Sequence, residues 1–347
     1  MSPDPALIEA TGILTAMFVQ RLLSTILAVI VSVIVLWWLL SDGAGTALLN
    51  AIEGAILWPL ALGGLIAVAI QIVRAWRFAL LWEGGFGLSS ISMIGIATKL
   101  VLFNFLLPFK LGELSFPLMM KRAYGTSLGQ GAGILILCRL LDLGAVTAII
   151  ALAAAWLLDP ASHGLSPSLI GIFGLAAFVI PFILVDQLPR LRRAAAKSQR
   201  FDHLAGQMSH GAAMMRPFRQ RILSAVLTLS IWLAHAVIAW LVAIAVGEAV
   251  GFLPMAMASA SSNLAFALPI SGVAGLGPPQ AAWATMLHLA GHDWDPAITT
   301  ALLCHGLLLI TLSTFGAAFW IGQAFRAEGL INAGAPGEGS TSSERSR

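Results

Sequence analysis

The residues with chemistry to offer sit among hydrophobic side chains. The run Phe103-Asn104-Phe105-Leu106-Leu107-Pro108-Phe109-Lys110-Leu111-Gly112-Glu113-Leu114 places Asn104, Lys110 and Glu113, with Lys99 just upstream, in or beside an apolar stretch. An ionisable group at the centre of a membrane helix costs roughly 2.5 to 3.5 kcal/mol to insert, so such groups are usually kept for a pathway or a binding site. On that reading Lys99, Asn104, Lys110 and Glu113 line a polar cleft that meets a lipid head group. The plainer reading has Lys99 snorkelling and Lys110 and Glu113 anchoring the chain at the interface.

Arg139 and Asp142 lie three residues apart in another apolar run and share a helical face. Arg139 can present charge to an anionic substrate while Asp142 holds it; the alternative is a structural ion pair that fixes helix packing. The stretch from Leu268 to Gln280 is rich in glycine and proline. Backbone N–H groups around Gly275 and Gly277, with Gln280 beside them, could favour a phosphate at a helix start. The alternative is a tight re-entrant turn that binds nothing. The stretch lacks the strand context and spacing of a nucleotide loop. His288 and His292, followed by Asp293 and Asp295, read as a polar rim rather than a metal site. His235 and His305 read as hydrogen-bonded packing residues. No serine-protease layout, metalloprotease helix or Asp-rich prenyl-phosphate motif is evident, so no catalytic residue, metal or cofactor is expected.

The elements that must position these residues are membrane helices. Of 347 residues, 59% are hydrophobic and only 10% charged, against about 25% charged in a soluble domain. Mean hydropathy is +0.90. So few charges cannot cover a water-facing surface of this size. The net charge of +3 clusters between apolar runs and does not form a nucleic-acid footprint. Cys138 and Cys304 both lie inside apolar segments and read as packing residues. Residues 1–20 lack the basic start of a cleaved signal and are expected to be a cytoplasmic segment.

Clear spans run Leu22 to Leu40, Ala55 to Val73, Gly131 to Leu158, Ser168 to Val185, Ile222 to Val246 and Ala297 to Ile321. Arg21, Arg74, Arg77, Lys110, Lys121, Arg122 and the basic segment 187–221 flank them on one side. By the positive-inside rule that side is cytoplasmic, and both termini lie there. The basic segment reads as a topology-setting loop, with recruitment of anionic lipid as its alternative. Two apolar segments are left over. Residues 89–107 lie between two cytoplasmic clusters and are too short to cross twice, which fits a re-entrant hairpin or a broken pair of half-helices. Residues 254–295 should dip in from outside or cross as a pair of short helices. Both carry Pro and Gly at membrane depth, which a bilayer tolerates only beside protein or a water-filled cavity. Broken segments entering from opposite faces match the transporter layout, in which half-helices meet at a midplane site. The expected fold is all-α: about 6 full transmembrane helices plus two re-entrant regions, or about 8 membrane segments. The membrane domain spans 21–326, and a disordered cytoplasmic tail is expected over 327–347.

These motifs, in this order, resemble the lysylphosphatidylglycerol synthase transmembrane, or flippase-like, family. Its first motif is similar to Asn104 through Glu113, where the family has Asn and then Leu-Pro-Gly-Arg-x-Gly-Glu/Asp. Its second, Glu-Arg-x-x-Asp, is similar to the segment ending Arg139-Leu140-Leu141-Asp142. Its third, Leu-Pro and then Gly-Gly-x-Gly ahead of a Glu, is similar to Leu268-Pro269 with Gly275-Leu276-Gly277. The likeness covers residues 20–325. Phe109-Lys110 stands for Gly-Arg, Cys138 for a Glu, Ala274 for a Gly and Gln280 for the final Glu. The resemblance implies translocation of a lipid, anionic or of a polyisoprenoid type, across a bacterial inner membrane. Larger members append a soluble aminoacyltransferase domain; only a short tail follows the last span here, so lysyl transfer is not expected. Two rival functions stand beside this one: a membrane-embedded transferase on a lipid-linked substrate, with Glu113 or Asp142 as its carboxylate, and a non-transporting partner of lipid-biosynthesis proteins.

Overall fold

The computed structural model describes residues 44–83, 90–107, 110–157, 166–194, 206, 209, 211–267 and 275–334. The described residues include ten helices in this order: α1 (Ala44–Glu53), α2 (Leu57–Glu83), α3 (Ser90–Leu106), α4 (Leu111–Tyr124), α5 (Leu128–Leu157), α6 (Pro167–Ala194), α7 (Phe218–Ala245), α8 (Phe252–Ala267), α9 (Pro278–Leu289) and α10 (Trp294–Gly334). Among the described residues 5 helices are long and apolar enough to cross a bilayer: α2, α5, α6, α7 and α10. They match five of the six expected spans. The expected span Leu22 to Leu40, the segment 1–20 and the end of the tail lie outside the described residues.

The boundaries differ from the sequence reading in three places. The second span does not stop at Val73. It continues to Glu83 and so carries Arg74 and Arg77 inside a helix, not on a loop. The residues after Arg77, Phe78-Ala79-Leu80-Leu81-Trp82, are apolar and keep the helix buried against its neighbours. The basic segment 187–221 is not all loop: α6 continues to Ala194 and α7 starts at Phe218. The last helix runs to Gly334, past position 327, where the tail was expected to begin.

The first leftover segment, 89–107, holds one short helix that pairs with the next one, and the second, 254–295, holds a pair of short helices. Helices α3 and α4, at 17 and 14 residues, reach about 26 and 21 Å at the helical rise of 1.5 Å per residue. Neither spans a hydrocarbon layer about 30 Å thick. They pack on each other, with Pro108 just past the end of α3, where the residue before a proline is pushed out of helical geometry. The sequence reading had put the whole dip within 89–107; its returning arm is α4, whose first turn carries Glu113 just after Lys110, read there as cleft residues or as interface anchors. Helix α4 ends on Gly125, whose φ of 67° suits a left-handed cap and whose N–H bonds to the Lys121 carbonyl at 3.0 Å. Helices α8 and α9, at 16 and 12 residues, form the second hairpin. Pro278 opens α9, a position where the missing N–H costs nothing.

The order span, hairpin, span therefore occurs twice: α2 with α3–α4 and α5, then α7 with α8–α9 and α10. A single span, α6, separates the units, so the second is inverted relative to the first. The packing repeats with the order. Helix α5 packs on α8 as α10 packs on α3, α5 on α7 as α10 on α2, and α2 lies against α7. Every larger helix contact not involving α1 or α6 maps onto another when the halves are exchanged. Two apolar cores result. One joins Ile70, Ile238, Met255, Trp283 and Ile298; the other joins Phe78, Met93, Phe116 and Ile134. Close backbone approach, as between membrane helices generally, holds α6 to α5: a Cβ on Gly144 would lie 2.6 Å from the Ala177 carbonyl oxygen.

Candidate polar cavity

Where the hairpin tips meet, a cavity of about 340 Å³ opens between the two cores. The tips touch through Phe105 and Phe266, with ring centroids 5.3 Å apart. Lys110 caps the start of α4 and lays its Nζ 3.6 Å from the centroid of the Phe266 ring. Its backbone is left-handed, at φ 58° and ψ 25°. A non-glycine residue pays about 1–2 kcal/mol for that geometry, and such strain clusters at ligand sites. Gly112, two residues on, permits the approach of the two arms: a Cβ there would lie 2.5 Å from the Asn104 backbone nitrogen.

Asp142 organises the charged wall. Its Oδ1 accepts from Arg77 Nη1 at 2.5 Å and from Trp232 Nε1 at 2.9 Å. Its Oδ2 accepts from Arg77 Nη2 at 3.1 Å and from Arg139 Nη1 at 3.2 Å. Arg77 Nη1 also reaches Thr228 Oγ1 at 3.2 Å. Arg139 Nε donates to Glu113 Oε1 at 2.8 Å. This one network ties α2, α4, α5 and α7 together. Four cations, Arg74, Arg77, Lys110 and Arg139, thus stand against two carboxylates. Arg74 donates to Gln71 Oε1 at 2.9 Å; among the described residues neither Arg74 nor Lys110 has a carboxylate within ion-pair distance. The cavity therefore carries a positive surplus in a low-dielectric setting, where charge acts strongly.

Of the residues singled out by sequence, Asn104, Lys110, Glu113, Arg139, Asp142 and Gln280 line this cavity. Lys99 does not. Its Nζ lies 5.7 Å from the centroid of the Trp320 ring, away from the polar lining. Gly275 and Gly277 do not line it either, and the expected phosphate cradle is spent. Gly277 N–H donates to Gln280 Oε1 at 2.7 Å, and the next two residues, Pro278 and Pro279, have no N–H to offer. Gly275 serves the turn instead: at φ 71°, a Cβ would meet the Phe266 ring at 2.5 Å. His235 and His305, read as packing residues, both face the cavity. His288 Nδ1 lies 3.2 Å from the His292 carbonyl oxygen, and no metal-binding group of His, Cys, Asp and Glu occurs among the described residues. Cys138 and Cys304 are buried free thiols.

Sequence reasoning missed Arg74, Arg77 and the polar face of α8. The arginines looked like topology markers because they close an apolar run; the five apolar residues after Arg77 were the available signal. Ser259, Ser262 and Asn263 on α8 also line the cavity, and small neutral polar groups barely disturb a hydropathy profile.

An inverted pair of hairpins meeting at a polar cavity inside apolar helices defines a multi-pass membrane protein. Residues 25–316 match the family described as the lysylphosphatidylglycerol synthase TM region, and the chain belongs to that family. No curated protein matches it.

Proposed function

We propose that this protein moves an anionic lipid between the leaflets of a membrane, taking the head group into the cavity while the tails stay in lipid. The observation that carries this reading is the pair of cavity-lining cations Arg74, on α2, and Lys110, at the tip of the first hairpin, neither with a carboxylate partner among the described residues. An anionic head group would supply the missing charge, with phosphate oxygens suited to Arg74. By the positive-inside rule the ends of α6 and α7, with Arg190, Arg192, Arg193, Arg219 and Arg221, lie on the cytoplasmic side, and a bacterial inner membrane is the expected location. The first hairpin then enters from the cytoplasm and the second from outside.

The transferase alternative draws less support. It needs a carboxylate able to take a proton. All four acceptor positions of Asp142 are occupied, and Glu113 is held by Arg139. The test is reconstitution into vesicles with a panel of head-group-labelled lipids. Protein-dependent exchange of an anionic lipid between leaflets, reduced by Arg74→Gln and by Lys110→Gln, is expected. No exchange of any lipid in the panel would sink the proposal.

A further inference from the structure

Of the cations around the cavity, Arg74, Arg77 and Arg139 are guanidiniums, which keep their charge near neutrality. Lys110 is an amine, and an amine shifts readily when it is taken out of water. It is the member of this set whose charge can follow what the cavity holds.

Its surroundings press on that charge. Lys110 is half-buried and lines the cavity, and among the described residues no carboxylate lies within ion-pair distance of it. The nearest candidates are committed elsewhere. Glu113 is held by Arg139 at 2.8 Å, and Asp142 by Arg77, Arg139 and Trp232. The Phe266 ring beneath its Nζ offers a π-face but no lone pair. The titratable and charged groups that share the cavity are Arg74 on α2, Glu113 on α4, Arg139 and Asp142 on α5, His235 on α7, and Cys304 and His305 on α10. Helices α3, α8 and α9 bring only neutral groups to it. Lys110 itself lies between α3 and α4, outside the five spanning helices. Burial pushes its ammonium down most, Arg139 pushes the same way, Glu113 pulls back and Arg74 adds a smaller push, which brings it to about 7. An anion placed beside it reverses the balance, because a nearby opposite charge favours the charged form.

We propose that Lys110 is a proton-loading residue: its neutral amine takes a proton from water when an anionic head group enters the cavity and returns it when the head group leaves. The Nζ lone pair forms the new N–H bond on entry, and the same bond breaks on exit, so no other group is changed. An anion that crosses with this proton crosses as a neutral pair, and a pH gradient can then drive the movement. The inference rests on the cavity being the head-group site proposed above, and adds how the crossing is coupled.

The test is calorimetric titration of the purified full chain in detergent, which needs no transport. The ligands are short-chain phosphatidylmethanol and phosphatidylglycerol, phosphodiesters whose negative charge does not titrate near neutrality. Titrations in two buffers of different ionisation enthalpy give the protons taken up per lipid bound. Uptake should be near zero at about pH 5.5, about half a proton at about pH 7 and about one at about pH 8.5. The empty-cavity amine loses its proton as pH rises through about 7, so affinity should be highest below that pH and fall by up to about tenfold per pH unit above it. Lys110→Arg, which cannot give up its proton, should bind with an affinity that is flat over this range and take up none. Lys110→Gln should bind more weakly and also take up none, so the test survives if the arginine is not accommodated. Uptake that persists in both variants, or that is lost in His235→Gln or His305→Gln while Lys110→Arg retains it, would place the proton elsewhere and overturn the proposal. Binding of the parent protein without uptake would also overturn it and leave the head-group reading standing. Binding of neither lipid would remove the head-group reading and this one with it.

Discussion

Arg77 and Asp142, 65 positions apart in the chain, face each other as a two-pronged ion pair inside the helix bundle, with Nη1 to Oδ1 at 2.5 Å and Nη2 to Oδ2 at 3.1 Å. Their side chains are 1% and 8% exposed. The pair joins α2 to α5 directly behind the cavity, and Asp142 passes the constraint on to Arg139 and Trp232. Desolvation makes such a pair a weak source of stability in itself, whereas removing one partner leaves a buried charge unpaired.

The first prediction follows from that asymmetry. Arg77→Met and Asp142→Leu should each destabilise the protein by about 3–5 kcal/mol. The double variant Arg77→Met/Asp142→Leu should recover much of the loss, because no unpaired charge remains. Thermal unfolding of the four proteins in one detergent closes the cycle. Additive losses would show that each residue acts alone.

Lys110 gives a second prediction because its backbone and its charge make separate demands. Lys110→Gly relieves a left-handed strain of about 1–2 kcal/mol, so its unfolding temperature should equal or exceed that of the parent. The same variant loses the cation over Phe266 and should bind anionic lipid more weakly. Lys110→Asn, a side chain that tolerates the left-handed region, should show the same split. A variant that loses stability and binding together would argue that the lysine is there for packing.

Much of this architecture is legible in the sequence, for a physical reason. A helix in hydrocarbon must satisfy its own backbone and present apolar side chains, so five of the spans stand out as long apolar runs. Charge bookkeeping also finds the two segments left over from the single spans. It fails where the same residue type serves two purposes. Arg74 and Arg77 look like interface anchors, yet Asp142, far away in sequence, pulls Arg77 into the bundle. Helix α4 carries at its end Lys121 and Arg122, which read as topology markers ahead of the next span, although its other end reaches the cavity. Lys99 errs in the opposite direction: it sits in an apolar run, as a site residue would, but it lies near Trp320.

Lys99 therefore supplies a control. Lys99→Gln removes a cation near the cavity without altering its lining. Anionic-lipid binding should stay within about twofold of the parent, since a charge screened by distance and intervening side chains contributes little. A loss as large as that of Arg74→Gln would place Lys99 on the lipid's path after all.

Gly112 tests how the first hairpin closes. A Cβ there would lie 2.5 Å from both the backbone nitrogen and the Oδ1 of Asn104, and 2.6 Å from the Phe103 carbonyl carbon. Backbone cannot swing aside as a side-chain end can, so Gly112→Ala should cost about 1–3 kcal/mol by overpacking. It should also move Asn104 and thereby weaken binding. Unfolding and lipid titration on the same sample check both, and a protein of unaltered stability would mean that the two arms are not in contact at this point.

The inverted arrangement makes the last prediction. A single span lies between the units, so the loop joining α4 to α5 and the loop joining α9 to α10 must emerge on opposite sides of the membrane. Ser127 and Asp293 are exposed in those two loops. The native thiols, Cys138 and Cys304, are both buried and should react slowly. Ser127→Cys and Asp293→Cys should then be labelled by a membrane-impermeant maleimide from opposite faces of sealed vesicles, Ser127→Cys from the face bearing the ends of α6 and α7. Labelling of both from one face would mean that one short pair crosses the bilayer an odd number of times. The hairpin tips would then no longer meet at mid-depth, and the cavity between them would lose the geometry on which the lipid-site reading depends.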